Sequence, residues 1–192
     1  GDVIAVEDPG FGGIRNVADY HNLTLYPVPV DEQGLVVEEL KNSPNPVKLV
    51  YVTADHQDPL GCTMSLERRK QLLAWAKENN GWIVEDNYDG FFHYGTKLPP
   101  SLYALDQDQC VIHLATFWQV LYPLNSICYL LMPAPLMPVL AKSKVQTESL
   151  TETMVQLGLA DVLQDGFLQK HMRKIERTFA TKRRQLIFEL KQ

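Results

Sequence analysis

Short apolar runs alternate with stretches of helical period over most of the chain, and the pattern changes once, near its last third. Val3-Ile-Ala-Val6 is a β-branched run that stops at Pro9-Gly10, a turn signal. Residues 14–21 fit a short helix. Leu23-Thr-Leu-Tyr-Pro-Val28 reads as a second strand, and Pro27 and Pro29 mark it as an edge strand because neither can donate to a ladder. Leu35 to Lys41 reads as a short helix closed by Ser43-Pro44-Asn45-Pro46. Val47 to Thr53 is a largely apolar run, as buried parallel strands are. Ser65 is an N-cap with Glu67 in the first turn, and the helix it opens carries Leu66, Leu72, Leu73 and Ala76 and ends at Asn80-Gly81. Trp82 to Val84, Cys110 to Leu114 and Ser126 to Met132 are further strands.

No strand is expected after Pro138. Residues 151–191 are helical by period. Leu168, Met172, Ile175, Phe179, Leu186 and Leu190 fall on one stripe, and Lys170, Arg173, Lys174, Arg177, Lys182, Arg183 and Arg184 occupy the other face. Strands separated by helices need crossover connections, which predicts an α/β fold with a mostly parallel sheet. The expected organisation is a core over residues 1–142 and a helical segment over 143–192.

Composition narrows the function class. The chain has 192 residues, 45% of them hydrophobic, which suffices for a sizeable core. A net charge of −5 gives no global attraction to nucleic acid or to anionic membrane. The basic face at 170–184 has no interleaved aromatics and reads as a solvated helix surface. Cys62, Cys110 and Cys128 are odd in number and widely spaced, which argues against a disulfide framework and a zinc site. No apolar run is long enough to span a bilayer, and Gly1-Asp2 opens no signal-peptide pattern, so the cytoplasm is the expected compartment.

In open parallel sheets, ligands gather at the carboxyl ends of the strands. Four such ends carry polar clusters: Glu7-Asp8-Pro9-Gly10, Asp55-His56-Gln57-Asp58, Glu85-Asp86-Asn87-Tyr88-Asp89 and Thr116-Phe117-Trp118-Gln119. The acidic ones suit a cation or a protonated ring nitrogen. Taken singly, each also reads as a solvated loop. His56 has no second His or Cys at ligand spacing, which favours a structural role. His113, inside an apolar strand, reads as a satisfied core histidine, and His171 reads as structural.

Several runs together resemble a known family. Gly1-Asp-Val-Ile-Ala-Val-Glu-Asp-Pro-Gly-Phe-Gly-Gly-Ile-Arg15, Tyr51-Val-Thr-Ala-Asp-His-Gln-Asp-Pro-Leu-Gly-Cys-Thr-Met-Ser-Leu-Glu-Arg-Arg69 and Trp82-Ile-Val-Glu-Asp-Asn-Tyr-Asp89 follow in order. Val111-Ile-His-Leu-Ala-Thr-Phe117, Gln156-Leu-Gly-Leu-Ala160 and Asp165-Gly-Phe-Leu-Gln-Lys-His-Met-Arg173 continue them. The set resembles the fold-type-I aminotransferase-like domain of MocR-type (GntR-family) transcriptional regulators. The resemblance implies a three-layer α/β/α large domain, with the strand at 126–132 antiparallel and at an exposed edge, because the family's first strand would lie before Gly1. It implies that residues 151–191 lead towards a small domain beyond Gln192, and that a DNA-binding domain precedes the chain.

The resemblance also implies a pyridoxal-phosphate site. Asp86 stands where the family's carboxylate pairs with the pyridine nitrogen, and Tyr88 where its tyrosine contacts the phenolic oxygen. His56, Trp118 and Ser126 fall on the same cofactor-side positions. The family lysine that forms the Schiff base is replaced by Gln119, whose amide nitrogen cannot condense with an aldehyde. The small residue before it is replaced by Trp118, the phosphate-side arginine by Ser126, and a nearby glycine by Cys128. The resemblance therefore implies a degenerate, non-catalytic effector or dimerisation domain, with pyridoxal phosphate not held covalently. A homodimer and an amino-acid-like effector are the partners it implies. The competing expectation is an altered or partial form of an active aminotransferase.

Overall fold

The β-branched and apolar runs form strands β1 (Val3–Asp8), β2 (Thr24–Asp31), β3 (Gly34–Leu35), β4 (Val47–Val52), β5 (Trp82–Asn87), β6 (Val111–Thr116) and β7 (Cys128–Leu131). In this computed structural model, residues 1–92, 97–122, 127–147 and 151–191 are described. The strands make one sheet in the order β3-β2-β1-β4-β5-β6-β7. The β2/β1, β1/β4, β4/β5 and β5/β6 pairs are parallel, and β2/β3 is antiparallel. The expected α/β fold with a mostly parallel sheet is therefore what the chain adopts. Strand β7 lies at the sheet edge with all four residues exposed.

The chain divides into two compact units. One comprises Gly1–Tyr88, Leu98–Ala115 and Tyr129–Met137; the other comprises Asp89–Lys97, Thr116–Cys128 and Pro138–Gln192. In the first unit the strands alternate faces residue by residue. Val3, Ala5, Val50, Val52, Ile83 and Val111 join one apolar cluster, completed by Leu72 and Ala76 of helix α2 (Leu66–Asn79) and Leu102 of the short helix α3 (Leu102–Leu105). Ile4, Val6, Leu49, Tyr51 and Val84 join a second cluster, which Ile14 of helix α1 (Gly12–Tyr20) packs against. Each face of the sheet is thus covered by a helix, which is why β4 reads as apolar at nearly every position.

Helix α2 begins as its sequence dictates. The Ser65 hydroxyl accepts the Arg68 amide at 3.2 Å, and Asn80 ends the helix in the left-handed region at φ 48°. In β2, the Thr24 amide donates to the Asp2 carbonyl of the β1 side at 3.1 Å, so alternate amides along β2 face β1 and the positions of Pro27 and Pro29 face away. That spacing makes both prolines harmless. The edge assignment of β2 needs one correction: β3 covers its last two residues, Val30 and Asp31. Gly34 makes this possible at φ +97°, and a Cβ there would meet Met64 Cβ at 3.0 Å.

Three other expectations are corrected. Residues 35–41 do not form one helix: Leu35 is in β3, and only Val37–Asn42 coil, as a 3-10 turn. Strand β5 continues three residues past Val84, carrying Glu85, Asp86 and Asn87 inside the ladder. The stretch 151–191 is two helices, α6 (Thr151–Gln164) and α7 (Phe167–Leu190), separated at Gly166 with φ +66°. The second unit also holds α4 (Trp118–Leu121) and α5 (Met137–Thr147, which starts one residue before it). Its core gathers Phe92, Val120 and Leu168 with Met172, Ile175 and Phe179. The apolar stripe of α7 is therefore buried over its first half only; Leu186 and Leu190 are exposed.

Candidate ligand site at the strand ends

Strand alternation sends the two adjacent acids of β5 to opposite faces. Glu85 is buried on the α2 side. Its carboxylate accepts the amides of Leu102 at 2.7 Å and Tyr103 at 3.1 Å, and lies 2.8 Å from His113 Nδ1. His113 is thus a partnered core histidine, as its apolar strand predicts. Arg69, fully buried on α2, donates to the carbonyls of Met64, Ala54 and Pro100 and to Asp55 Oδ1 at 2.8 Å. Asp55 Oδ2 in turn accepts Asn87 Nδ2 at 3.2 Å. A buried cation whose donors all find oxygen is held at one place, and it fixes the loop that follows β4.

The end of β1 fixes that loop from its other side. Glu7 Oε2 accepts the Thr53 hydroxyl at 2.6 Å, the Thr53 amide at 3.2 Å and Gln57 Nε2 at 3.3 Å. Gln57 also donates to the carbonyls of Pro9 and Asp58, and its Oε1 accepts the Leu60 amide at 3.0 Å. Burial raises the Glu7 carboxyl above the ordinary carboxylate range, against the lowering effect of the Thr53 and Gln57 hydrogen bonds.

Asp86 points the other way, towards β4. Its Oδ2 accepts the hydroxyl of Tyr51, a buried phenol whose ring stacks on Phe11 with centroids 6.5 Å apart. Burial, then the neighbouring Asp86 charge, hold the Tyr51 phenol above its ordinary range. Tyr88 lies just past β5, and its hydroxyl donates to the His56 carbonyl at 3.1 Å. Tyr88 thus contacts the His56 backbone. Asp86, Tyr88 and His56 thus share one end of the sheet in the first unit. Glu7 and Gln57, from two of the polar clusters read in the sequence, support that end, and so do Tyr51 and Arg69, to which the sequence assigns no role. Tyr51 lies in an apolar run and reads there as core; only its hydroxyl distinguishes it.

The other residues lie in the second unit. Strand β6 ends at Thr116, whose Oγ1 accepts the Trp118 amide at 3.1 Å, so Trp118 and Gln119 form the first turn of α4. Trp118 is 48% exposed and meets Tyr122 edge-on, with centroids 5.2 Å apart. His171 Nε2 lies 2.8 Å from the Val120 carbonyl, a structural role. Ser126 lies outside the described residues. The three cysteines are free, and burial, with Asp106 beside it, pushes the Cys110 thiol up to about 12. Among the described residues no group of three or more His, Cys, Asp or Glu would hold a metal, and no helix is long and apolar enough to cross a membrane.

The chain is 39% identical over 184 residues to the HTH-type transcriptional regulator YdeL of Bacillus subtilis (strain 168), covering 94% of this chain and 38% of that protein. It is 31% identical over 184 residues to the probable rhizopine catabolism regulatory protein MocR of Rhizobium meliloti, covering 96% of this chain and 37% of that one. The chain thus spans less than half the length of these curated relatives. Among solved structures, the kynurenine aminotransferase of Pyrococcus horikoshii superimposes with a TM-score of 0.90 at 28% identity, covering all of this chain and 49% of that one. Residues 1–117, which hold strands β1 to β6 and the Asp86 end of the sheet, match the family described as Aminotransferase class I and II. With that match over more than half its length, the chain belongs to the class I and II aminotransferase family.

Proposed function

We propose that the chain is a non-catalytic, ligand-binding and dimer-forming aminotransferase-like part of a MocR-type transcriptional regulator. The observation that carries this reading is Gln119, an amide at the position where the family resemblance expects the Schiff-base lysine. Its relatives among HTH-type regulators support the regulatory setting.

The donor set of the first unit fits the ring of pyridoxal phosphate, the cofactor that the family implies. Asp86 is an acceptor for a protonated ring nitrogen, already held by a phenol, and Tyr88, whose hydroxyl donates to the His56 carbonyl, stands at the same sheet end, where the resemblance puts a contact to the ring oxygen. When bound, that cofactor supplies an electron sink. By the resemblance, Gln119 takes the place of the anchoring lysine and has no amine, so in this reading the ring is held by hydrogen bonds and charge. By the same resemblance Ser126, which is uncharged, takes the place of the phosphate-side arginine, and this weakens binding further. An amino-acid-like effector and a second copy of the chain are the partners in this reading, and the cytoplasm is its compartment.

Amino-group transfer between an amino acid and a keto acid tests it directly. The expected rate is no higher than that of free pyridoxal phosphate at the same concentration. A rate well above that control contradicts the non-catalytic assignment. The likeness to a solved aminotransferase favours a second reading, an altered or partial form of an active enzyme. Under that reading, Gln119→Lys with Ser126→Arg restores covalent capture of pyridoxal phosphate, read as an added mass after borohydride reduction. No such adduct at residue 119 contradicts it.

A further inference from the structure

The buried contact between Tyr51 and Asp86 is not accounted for by packing. Tyr51 is 7% exposed, and a phenylalanine would fill the same space against Phe11, Ile4, Val6 and Val84. The hydroxyl instead spends its one proton on a carboxylate 35 residues away, across two neighbouring strands. We infer that Tyr51 is a positioning residue, whose hydroxyl aims the Asp86 carboxylate so that it receives the protonated ring nitrogen of a pyridine-type ligand.

A phenol that donates to a carboxylate stabilises the anion, because a charge-assisted hydrogen bond is roughly twice as strong as a neutral one. The donor must stay protonated for this to hold. Three carboxylates face the phenol: Asp86 from β5, Glu7 from the end of β1, and Asp58 from the loop after β4. Together with burial they keep the proton on Tyr51, so Tyr51 is a donor throughout the neutral range and Asp86 the acceptor. The ligand then meets a carboxylate whose rotamer and charge are set beforehand, and binding orders one side chain fewer. A ligand of the same shape with carbon in place of the ring nitrogen gains nothing from this arrangement. Tyr51 thereby acts on which ligands the site accepts, without touching them. The inference rests on the ligand-binding reading of Asp86 given above.

Tyr51→Phe in the full chain is the test, with Asp86→Asn to identify the Asp86 carboxyl resonance. Two measurements are made on each protein. The first is the titration of the Asp86 carboxyl by carbon NMR, without ligand. The second is the affinity for pyridoxal phosphate and for its 1-deaza analogue. The expected result is an upward move of the Asp86 titration in Tyr51→Phe. It is accompanied by a loss of about tenfold in preference for pyridoxal phosphate over the analogue, the size of one hydrogen bond to a charged group. A purely structural tyrosine lowers both affinities together and leaves their ratio and the titration unchanged, which overturns the inference. If the unsubstituted chain binds neither compound, the ligand-binding reading falls and the inference with it. That failure is distinguishable, because the carboxyl titration needs no ligand and reports on Tyr51 alone.

Discussion

Individual buried polar side chains decide much of what this molecule tolerates. Arg69 is the clearest case. Replacing it with Met removes donors from three carbonyls and from the Asp55 carboxylate, and leaves that acid without its cation. The expected cost is about 3–5 kcal/mol in urea denaturation, as for other buried pairs broken on one side. Arg15→Met, which removes an exposed pair with Asp8, is expected to change stability hardly at all. Glu7 gives a pH prediction. Its carboxyl is raised in the folded chain, so the folded state holds that proton more tightly than the unfolded state. Its contribution to stability is therefore full below the unfolded value of 4.5 and is lost as pH rises through the folded one. Stability of the native chain relative to Glu7→Gln is expected to decline from pH 4.5 upwards; a flat difference contradicts the assignment. These residues were only partly legible beforehand. An arginine or glutamate in sequence says nothing of its depth, and Tyr51 looks like any aromatic in a buried strand.

Elements were more legible, because periodicity and caps are local. The Ser65 cap, the Asn80 stop and the apolar run of β4 were all readable, and they lie where the sequence predicts. Ser65→Ala is expected to cost about 1 kcal/mol, measured as a shift in the urea midpoint at constant slope. Leu72→Ala, at the fully buried centre of the same helix, is expected to cost about 2–5 kcal/mol. The misreadings have physical causes. The sequence predicts too short a β5 because Glu85-Asp86-Asn87 has loop composition. Burial of Glu85 against His113 and two amides overrides that propensity. Residues 151–191 are helical by period on both sides of Gly166, so periodicity alone does not mark the break. That glycine's left-handed backbone was the one available signal of the break.

At the scale of the whole molecule, the parallel sheet and its family were legible from ordered motifs, and the family match over residues 1–117 agrees. The chain covers 38% of YdeL. How the chain folds into two interleaved units was not legible, since Asp89–Lys97 and Thr116–Cys128 leave the first unit and rejoin the second far along the sequence. The central claim is that the sheet end at Asp86 and Tyr88 holds a pyridine cofactor without a covalent anchor. Thermal unfolding of the full chain with pyridoxal phosphate and with pyridoxamine phosphate, which cannot form an imine with any protein amine, tests it most directly. The account predicts saturable stabilisation of similar size by both, with pyridoxal phosphate removed by gel filtration. Stabilisation by pyridoxal phosphate alone, surviving gel filtration, would contradict it.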